Sequence, residues 1–164
     1  MNSNQWQDEG DYFCYRKFDT DYKVFFRDSA KSSLFETRKP VLVLIHGFPT
    51  ASIDWQHLWP SLSQYFRLIT LDMIGFGLSD KPQNYTYSIH DQGDIFQTLL
   101  NQLDIVNYHI LAHDYGDTVA QELLARQLER ELLETTPIAM TGKIRSTILL
   151  NGGLFPETHR PVLL

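Results

Sequence analysis

One short segment constrains the fold of this chain more than any other, LAHDYGD at residues 111–117. It follows the apolar run at 108–111 and leads into TVAQELL at 118–124, whose composition favours a helix. The chain therefore passes from a strand through a sharp turn into a helix. Ala112 and Gly116 stand two places either side of Asp114, and small residues are what a tight turn needs beside a projecting central side chain.

The residue at the centre of this turn sets the chemistry that the turn can support. Such a turn often carries a serine, which must lose its proton to a neighbouring base before it attacks. Asp114 is already anionic at neutral pH, so it can attack without a base. A carboxylate suits displacement at a saturated, strained or halogenated carbon, which leaves an ester between protein and substrate. A histidine then helps water to cleave that ester.

Apolar runs and helical segments alternate along the chain. Two β-rich segments, at 12–18 and 22–27, flank Asp19-Thr20-Asp21 and predict a hairpin. Runs typical of strands buried on both faces lie at 41–45, 68–71, 108–111 and 147–150. Helix-like segments lie at 55–65, 89–103 and 118–133, and Ser88 with Asp91 predicts a capping box. The order predicts an α/β fold, with an antiparallel hairpin, an open parallel sheet flanked by helices, and a site at the carboxyl ends of the strands.

Three ordered motifs resemble those of the epoxide hydrolase and haloalkane dehalogenase branch of the α/β-hydrolases. They are IHGFP at 45–49, DMIGFGLSDKP at 72–82 and HDYG at 113–116. Within this branch, HDYGD with VAQELL at 119–124, and NGG at 151–153 with FPETHRP at 155–161, resemble the mesoderm-specific transcript subgroup. The resemblance implies the N-terminal part of an α/β-hydrolase fold, truncated before the cap and last strands. It divides the chain into a polar tail at 1–11, a core at 12–153 and the start of the cap connection at 154–164.

The resemblance also assigns roles around the turn. It implies that Asp114 is the nucleophile and that the backbone amides of Phe48 and Tyr115 form an oxyanion hole. The side chains of Phe48 and Tyr115 are expected at the substrate, and the resemblance places Trp55 near it. The spacing of Trp55 and Trp59 equally fits two core aromatics, and we favour packing for Trp55.

Several neighbouring residues are expected to support this geometry rather than react, namely His46, Gly47, Ala112, His113, Gly116 and Asp117. His113 adjoins the nucleophile, but adjacent side chains on a tight turn point in different directions, which favours packing over base catalysis. Asp117 occupies a position that is usually Gly or Ala in relatives, and we expect it to form hydrogen bonds at the helix start. Gly75 and Gly77 are expected to be structural, because the segment lacks the remaining residues of a phosphate-binding loop.

Tyr115 and Phe48 also bear on the substrate. Haloalkane dehalogenases usually have Trp after the nucleophile and often a polar residue after His-Gly, and both hold the leaving halide. Tyr and Phe at these positions favour an epoxide hydrolase-like reaction on a small organic substrate, with a haloalkane dehalogenase as the alternative enzyme. A serine esterase is disfavoured because the turn has no serine at its centre.

In this fold an acid and then a histidine follow the nucleophile. His159 is the one histidine after Asp114, and in relatives its stretch leads into the cap, so it is a poor candidate base. Asn151 occupies the position of the acid in some dehalogenases, and an amide cannot stabilise an imidazolium. We therefore expect an incomplete hydrolase that forms an ester without turnover. A natural short form that acts as a non-catalytic interaction module is the alternative.

Composition narrows the remaining classes. The net charge is −6 and the cations are scattered, which disfavours nucleic acid and anionic membranes as partners. Cys14 is the single cysteine and no apolar run has membrane length, so we expect no internal disulfide and a cytoplasmic location. No cofactor or metal is implied. The expected partners are a small-molecule substrate of the full-length protein and a second copy, through the sheet edge after the sixth strand.

Overall fold

A mixed sheet organises the part of the chain that the structure, a computed structural model, describes: residues 3–30, 36–133 and 142–152. Its strands are β1 (Asp11–Lys17), β2 (Thr20–Asp28), β3 (Val41–Ile45), β4 (Arg67–Leu71), β5 (Asn107–His113) and β6 (Lys143–Leu150). The helices are α1 (Ser3–Asp8), α2 (Trp59–Leu62), α3 (Ile89–Gln102) and α4 (Tyr115–Leu133), with 3-10 turns at Glu36–Arg38 and Ser52–His57.

The strand order is β1-β2-β4-β3-β5-β6. The β1–β2 hairpin is antiparallel and joins β4 in an antiparallel pair, whereas β4, β3, β5 and β6 run parallel to one another. This confirms the predicted α/β-hydrolase architecture. In the parallel registers Ile45 is opposite Ala112 and His113 is opposite Leu150, so the loops after β3, β5 and β6 leave the sheet side by side.

Strand β3 explains how the core is divided. All five of its residues are buried. Because side chains alternate across a strand, Val41, Val43 and Ile45 join the hydrophobic cluster under α3 and α4. Leu42 and Leu44 join a second cluster, which contains Trp55 and Trp59. The continuous apolar run thus reflects burial on both faces, as in other parallel sheets.

The predicted helix at 55–65 and the predicted last strand differ from the structure. The helix predicted at 55–65 is divided into the 3-10 turn Ser52–His57 and α2, and Pro60 lies in the first turn of α2, where its missing N–H is not needed. Strand β6 begins at Lys143 rather than at 147, and its pairing with β5 includes an irregularity between Tyr108 and His109. The predicted cap of α3 is present, since Ser88 Oγ accepts the Asp91 N–H at 3.1 Å.

Within the segment predicted as a polar tail at 1–11, Trp6 packs on the core. Trp6 of α1 is only 2% exposed, and its ring meets that of Trp59 edge-on at 5.1 Å. Its Nε1 donates to Ser52 Oγ at 3.2 Å, and the Arg27 guanidinium lies over both tryptophan rings, at 4.0 Å from the centroid of Trp6 and 4.7 Å from that of Trp59. One buried tryptophan therefore docks a segment that is otherwise polar.

Within the described ranges, no helix is long and apolar enough to span a membrane. The start of the cap connection at 154–164, with His159, lies outside the described residues.

Strand β6 is an edge of the sheet, with Ile148 55% and Leu150 42% exposed. Self-association through that edge stays a prediction.

Candidate active site

The turn between β5 and α4 holds Asp114 in a left-handed conformation, with φ of 55°. A residue with a side chain rarely adopts this conformation, and it persists where the surrounding structure enforces it. Here the Asp114 N–H donates to Leu150 O at 2.9 Å, and the Asp117 N–H donates to Asp114 O at 3.0 Å. The helix begins at Tyr115, directly after Asp114, instead of at residue 118. Asp114 therefore projects from the end of β5.

The small residues around the turn are there for steric reasons. A Cβ on Gly116 would lie 2.6 Å from both Ile45 O and His46 O, so the start of α4 packs directly on the backbone after β3. A Cβ on Gly47 would lie 2.8 Å from Asp114 Cβ. Ala112 is fully buried at the end of β5. Larger side chains at these positions would displace Asp114 from the loop after β3.

The loop after β3 brings a hydrogen-bond donor to the Asp114 carboxylate. The backbone N–H of Phe48 donates to Asp114 Oδ1 at 2.8 Å, a charge-assisted contact. The other oxygen, Oδ2, makes no hydrogen bond to any residue that the structure describes. The Tyr115 amide, the second predicted donor, likewise makes no hydrogen bond to the carboxylate in this part of the chain. The two carboxylate oxygens therefore have different surroundings.

His46 fixes the loop that carries Phe48. It is fully buried, its Nδ1 lies 2.9 Å from Gly47 O, and the Met73 N–H donates to its Nε2 at 3.0 Å. These partners require a proton on Nδ1 and none on Nε2, which is the neutral ring. Burial lowers the pKa of His46, which also favours the neutral ring. His46 thus ties the loops after β3 and β4 together as a neutral group.

The loop after β4 is organised by Asp72, which the sequence placed at a strand end. Its Oδ1 accepts the Ser52 N–H at 2.8 Å and its Oδ2 accepts the Leu78 N–H at 2.7 Å. Gly75 and Gly77 have φ of 98° and 48°, so this loop uses glycine for its backbone conformation. Asp72 is thereby committed to holding the loop.

This loop also brings the aromatic side chain of Phe76 to the site, a residue that the sequence motifs did not indicate. The ring of Phe76 lies 6.2 Å from that of Phe48 and 6.1 Å from that of Tyr115, and it meets His46 at 5.3 Å. Phe48 is 67% exposed, so these rings form an open apolar surface beside Asp114. The signal in the sequence for Phe76 is its position in a loop at the carboxyl edge of the sheet.

Trp55 and His113 lie on the other side of the turn. Trp55 is 5% exposed and belongs to the smaller hydrophobic cluster, in keeping with its packing role. Both residues line a cavity of about 420 Å³, whose other lining residues are Asp54, Gln56, His57, Leu58 and Leu150. Trp55 thus packs in the core and also faces the space beside the site.

Asp117 is fully buried at the start of α4. Its Oδ1 accepts the N–H of Leu150 at 3.3 Å, so its partner is the end of β6 and not a neighbouring amide of its own helix. Burial raises the pKa of its carboxyl, an effect that the amides of Leu150 and Gly152 partly offset. Asn151, which follows β6, also has a left-handed backbone, with φ of 59°. In the described residues, no group of three His, Cys, Asp or Glu side chains could hold a metal ion.

The fold agrees with comparisons between the chain and known proteins. A sequence model for the alpha/beta hydrolase fold matches residues 40–158. The chain belongs to the α/β-hydrolase fold family. The mesoderm-specific transcript protein of Mus musculus is 42% identical over 164 residues, which cover 98% of this chain and 45% of that protein. A haloalkane dehalogenase of Mesorhizobium japonicum is 34% identical over 93 residues, covering 57% of this chain and 30% of that enzyme.

Solved structures agree with the fold. An alpha/beta hydrolase fold protein from Burkholderia ambifaria matches with a TM-score of 0.66 at 25% identity, covering 91% of this chain and 47% of that one. Haloalkane dehalogenase DbeA from Bradyrhizobium elkani matches with a TM-score of 0.63 at 24% identity, covering 87% and 42% of the two chains. The chain spans about half the length of the curated relatives that it matches, with 45% coverage of the mouse protein.

Proposed function

We propose that this chain carries the nucleophile of a hydrolase that opens small organic epoxides through an ester at Asp114. The observation that carries the proposal is the pairing of a left-handed Asp114, with φ of 55°, and a Phe48 N–H that donates to its Oδ1 at 2.8 Å. Asp104 has a similar left-handed backbone, with φ of 54°, so the aligned Phe48 donor is the feature that distinguishes Asp114. The activity of the whole protein is part of this proposal.

The different surroundings of the two oxygens support a division of labour in the first step. Asp114 Oδ2 attacks a ring carbon of the epoxide, and a C–O bond forms as the ring C–O bond breaks. The ring oxygen keeps the electron pair of the broken bond and takes a proton from solvent or an acid. The product is a hydroxyalkyl ester whose carbonyl oxygen is Oδ1.

The contact with Phe48 supports the second step. When water attacks the ester carbon, negative charge develops on Oδ1, which already faces the Phe48 N–H at 2.8 Å. In comparable reactions one such donor lowers the barrier by about 3 kcal/mol. That step also needs a base to activate the water. Because Asn151 offers no acid and His159 is a poor candidate base, we expect the ester to persist in this 164-residue chain.

Haloalkane dehalogenation is the second candidate, because a dehalogenase is among the relatives at 34% identity. In that reaction Asp114 Oδ2 would form the bond to carbon and the halide would leave with its electron pair, so no proton is needed. The aromatic side chains of Phe48 and Tyr115 argue against it, since neither matches the halide-holding residues of that class. The interaction module remains the alternative if no ester forms.

Mass spectrometry of the chain after incubation with styrene oxide tests the proposal. All samples carry Cys14→Ser, because the exposed Cys14 thiol also reacts with epoxides. We expect a gain in mass of one epoxide molecule, which is absent in Asp114→Asn. The control Asp94→Asn, which removes an exposed carboxylate of α3 that pairs with Arg126, should retain the gain. Asn tolerates the left-handed conformation, so the variant should fold.

Parallel incubation with 1-bromobutane separates the two reactions. A butyl adduct that forms faster than the styrene oxide adduct would favour dehalogenation. An epoxide adduct that persists unchanged in Asp114→Asn, or no adduct at all with either probe, would overturn the proposed nucleophile.

A further inference from the structure

Asp117 is a buried titratable group that the proposed reaction does not use. Its side chain is fully buried, and no described residue completes a hydrogen bond to its Oδ2, although the Gly152 amide lies near the carboxyl. Burying a carboxyl group with an unsatisfied oxygen is costly. Gly or Ala at this position would avoid that cost. The contact that the other oxygen, Oδ1, makes must therefore account for the presence of a carboxyl group.

The contacts of Asp117 complete a closed circuit of three hydrogen bonds. The Asp114 N–H donates to Leu150 O at 2.9 Å, the Leu150 N–H donates to Asp117 Oδ1 at 3.3 Å, and the Asp117 N–H donates to Asp114 O at 3.0 Å. The circuit links the nucleophile, the end of β6 and the first turn of α4. Asp117 Oδ1 is the one side-chain atom in this circuit, so a substitution at 117 can remove it.

The chain after β6 is fitted to the same carboxyl group. A Cβ on Gly152 would lie 2.7 Å from Asp117 Cγ and closer still to Oδ2. The backbone of Gly152 therefore runs directly over the carboxyl, which a side chain at 152 would prevent. Asn151, between Leu150 and Gly152, takes a left-handed conformation with φ of 59° at this point. Asp117 thus contacts both residues that flank Asn151, namely Leu150 and Gly152.

We propose that Asp117 is the positioning residue of the nucleophile turn, because its carboxyl holds the end of β6 against the turn and so keeps Asp114 in its left-handed conformation. The consequence for ester formation rests on the proposed function, whereas the structural link does not. The Oδ1 contact needs an acceptor but no charge. Asn at 117 retains that acceptor in the same shape, and Ala removes it.

Two readouts of the full chain test this role. The first is the rate of styrene oxide ester formation at Asp114, with Thr70→Val as the matched control. Thr70 is also fully buried, and its Oγ1 donates to Leu44 O at 2.8 Å, a contact between β4 and β3 in which neither Asp114 nor Leu150 takes part. We expect Asp117→Ala to lower the rate by about ten- to a hundredfold, as small displacements of a reacting group do. Asp117→Asn should stay within about threefold of the parent, and so should Thr70→Val.

The second readout is amide hydrogen exchange at Leu150 and Asp114, which is independent of any reaction. Asp117→Ala should accelerate exchange at both amides, whereas Asp117→Asn and Thr70→Val should not. If the parent chain forms no ester, the proposed function fails and the exchange rates still decide the role of Asp117. Unchanged exchange in Asp117→Ala would overturn the proposal, as would an equal loss of ester formation in Thr70→Val.

Gly152→Ala provides a second route if Asp117→Ala does not fold. Its added methyl group would press on the Asp117 carboxyl and displace it without removing it. We expect slower ester formation and faster exchange at Leu150 in this variant. Parent-like values for both would contradict the proposal.

Discussion

Two glycine-to-alanine substitutions should change stability in opposite directions. Gly116 lies in the first turn of α4, where an added Cβ would be 2.6 Å from Ile45 O and His46 O and 2.9 Å from Ile45 C. These are backbone atoms of β3 and its following loop, so no side chain can rotate away. Gly93 lies within α3, where the nearest atoms to an added Cβ are 3.4 Å away, on the flexible side chains of Arg126 and Glu122.

The magnitudes follow from two opposing contributions. Alanine in place of glycine favours a helix by roughly 0.5 to 1 kcal/mol. Gly93→Ala should keep most of this gain. Overpacking costs about 1 to 3 kcal/mol, and the rigid backbone opposite Gly116 puts that site at the upper end. Gly116→Ala should therefore lower the free energy of unfolding by about 2 kcal/mol.

Urea denaturation monitored by circular dichroism measures both changes. We expect a lower midpoint for Gly116→Ala and a higher midpoint for Gly93→Ala, with unchanged slopes. The melting temperature of Gly116→Ala should fall by about 4 to 8 °C in a domain of this size. Equal stabilisation by the two substitutions would refute the close approach of α4 to β3 on which the site depends.

Three further predictions concern buried groups. Trp6→Ala should lower the free energy of unfolding by about 3 to 5 kcal/mol in urea, and a loss below about 1 kcal/mol would show that α1 does not pack as described. Burial lowers the pKa of His46, so stability should fall as pH drops below about 6.5; His46→Gln should reduce this dependence in urea titrations, and an unaltered pH profile would contradict a buried neutral ring. Burial raises the pKa of Asp117, which His113 and Asp114 face, so wild-type stability should decline as pH rises above about 4; the melting temperature of Asp117→Asn relative to the parent should therefore rise with pH over that window, and a constant difference would contradict this.

Much of the fold could be predicted because its signals are local. The run at 41–45 matches β3 residue for residue, and the strand, turn and helix around Asp114 are encoded within a few positions. The role of Gly116 is readable from its place two residues after Asp114. The helix start at Tyr115 was less accessible, because it depends on the left-handed backbone of Asp114.

The remaining features depend on contacts between distant segments. Trp6 is buried against Trp59 and Ser52, which no pattern within the polar residues around it could indicate. Asp117 forms a hydrogen bond at the helix start, but its partner is Leu150 at the end of β6, which no pattern local to the helix could indicate. Phe76 reaches the site because the loop after β4 is held by Asp72 and His46, and only the assembled strand order brings these loops together.

Peptide mapping of the styrene oxide adduct by tandem mass spectrometry tests the central claim most directly. In the Cys14→Ser chain, fragment ions should place the added mass on Asp114, and hydroxylamine should remove it, as expected of an ester. An adduct found on other side chains, with Asp114 unmodified, would contradict the assignment of Asp114 as the nucleophile.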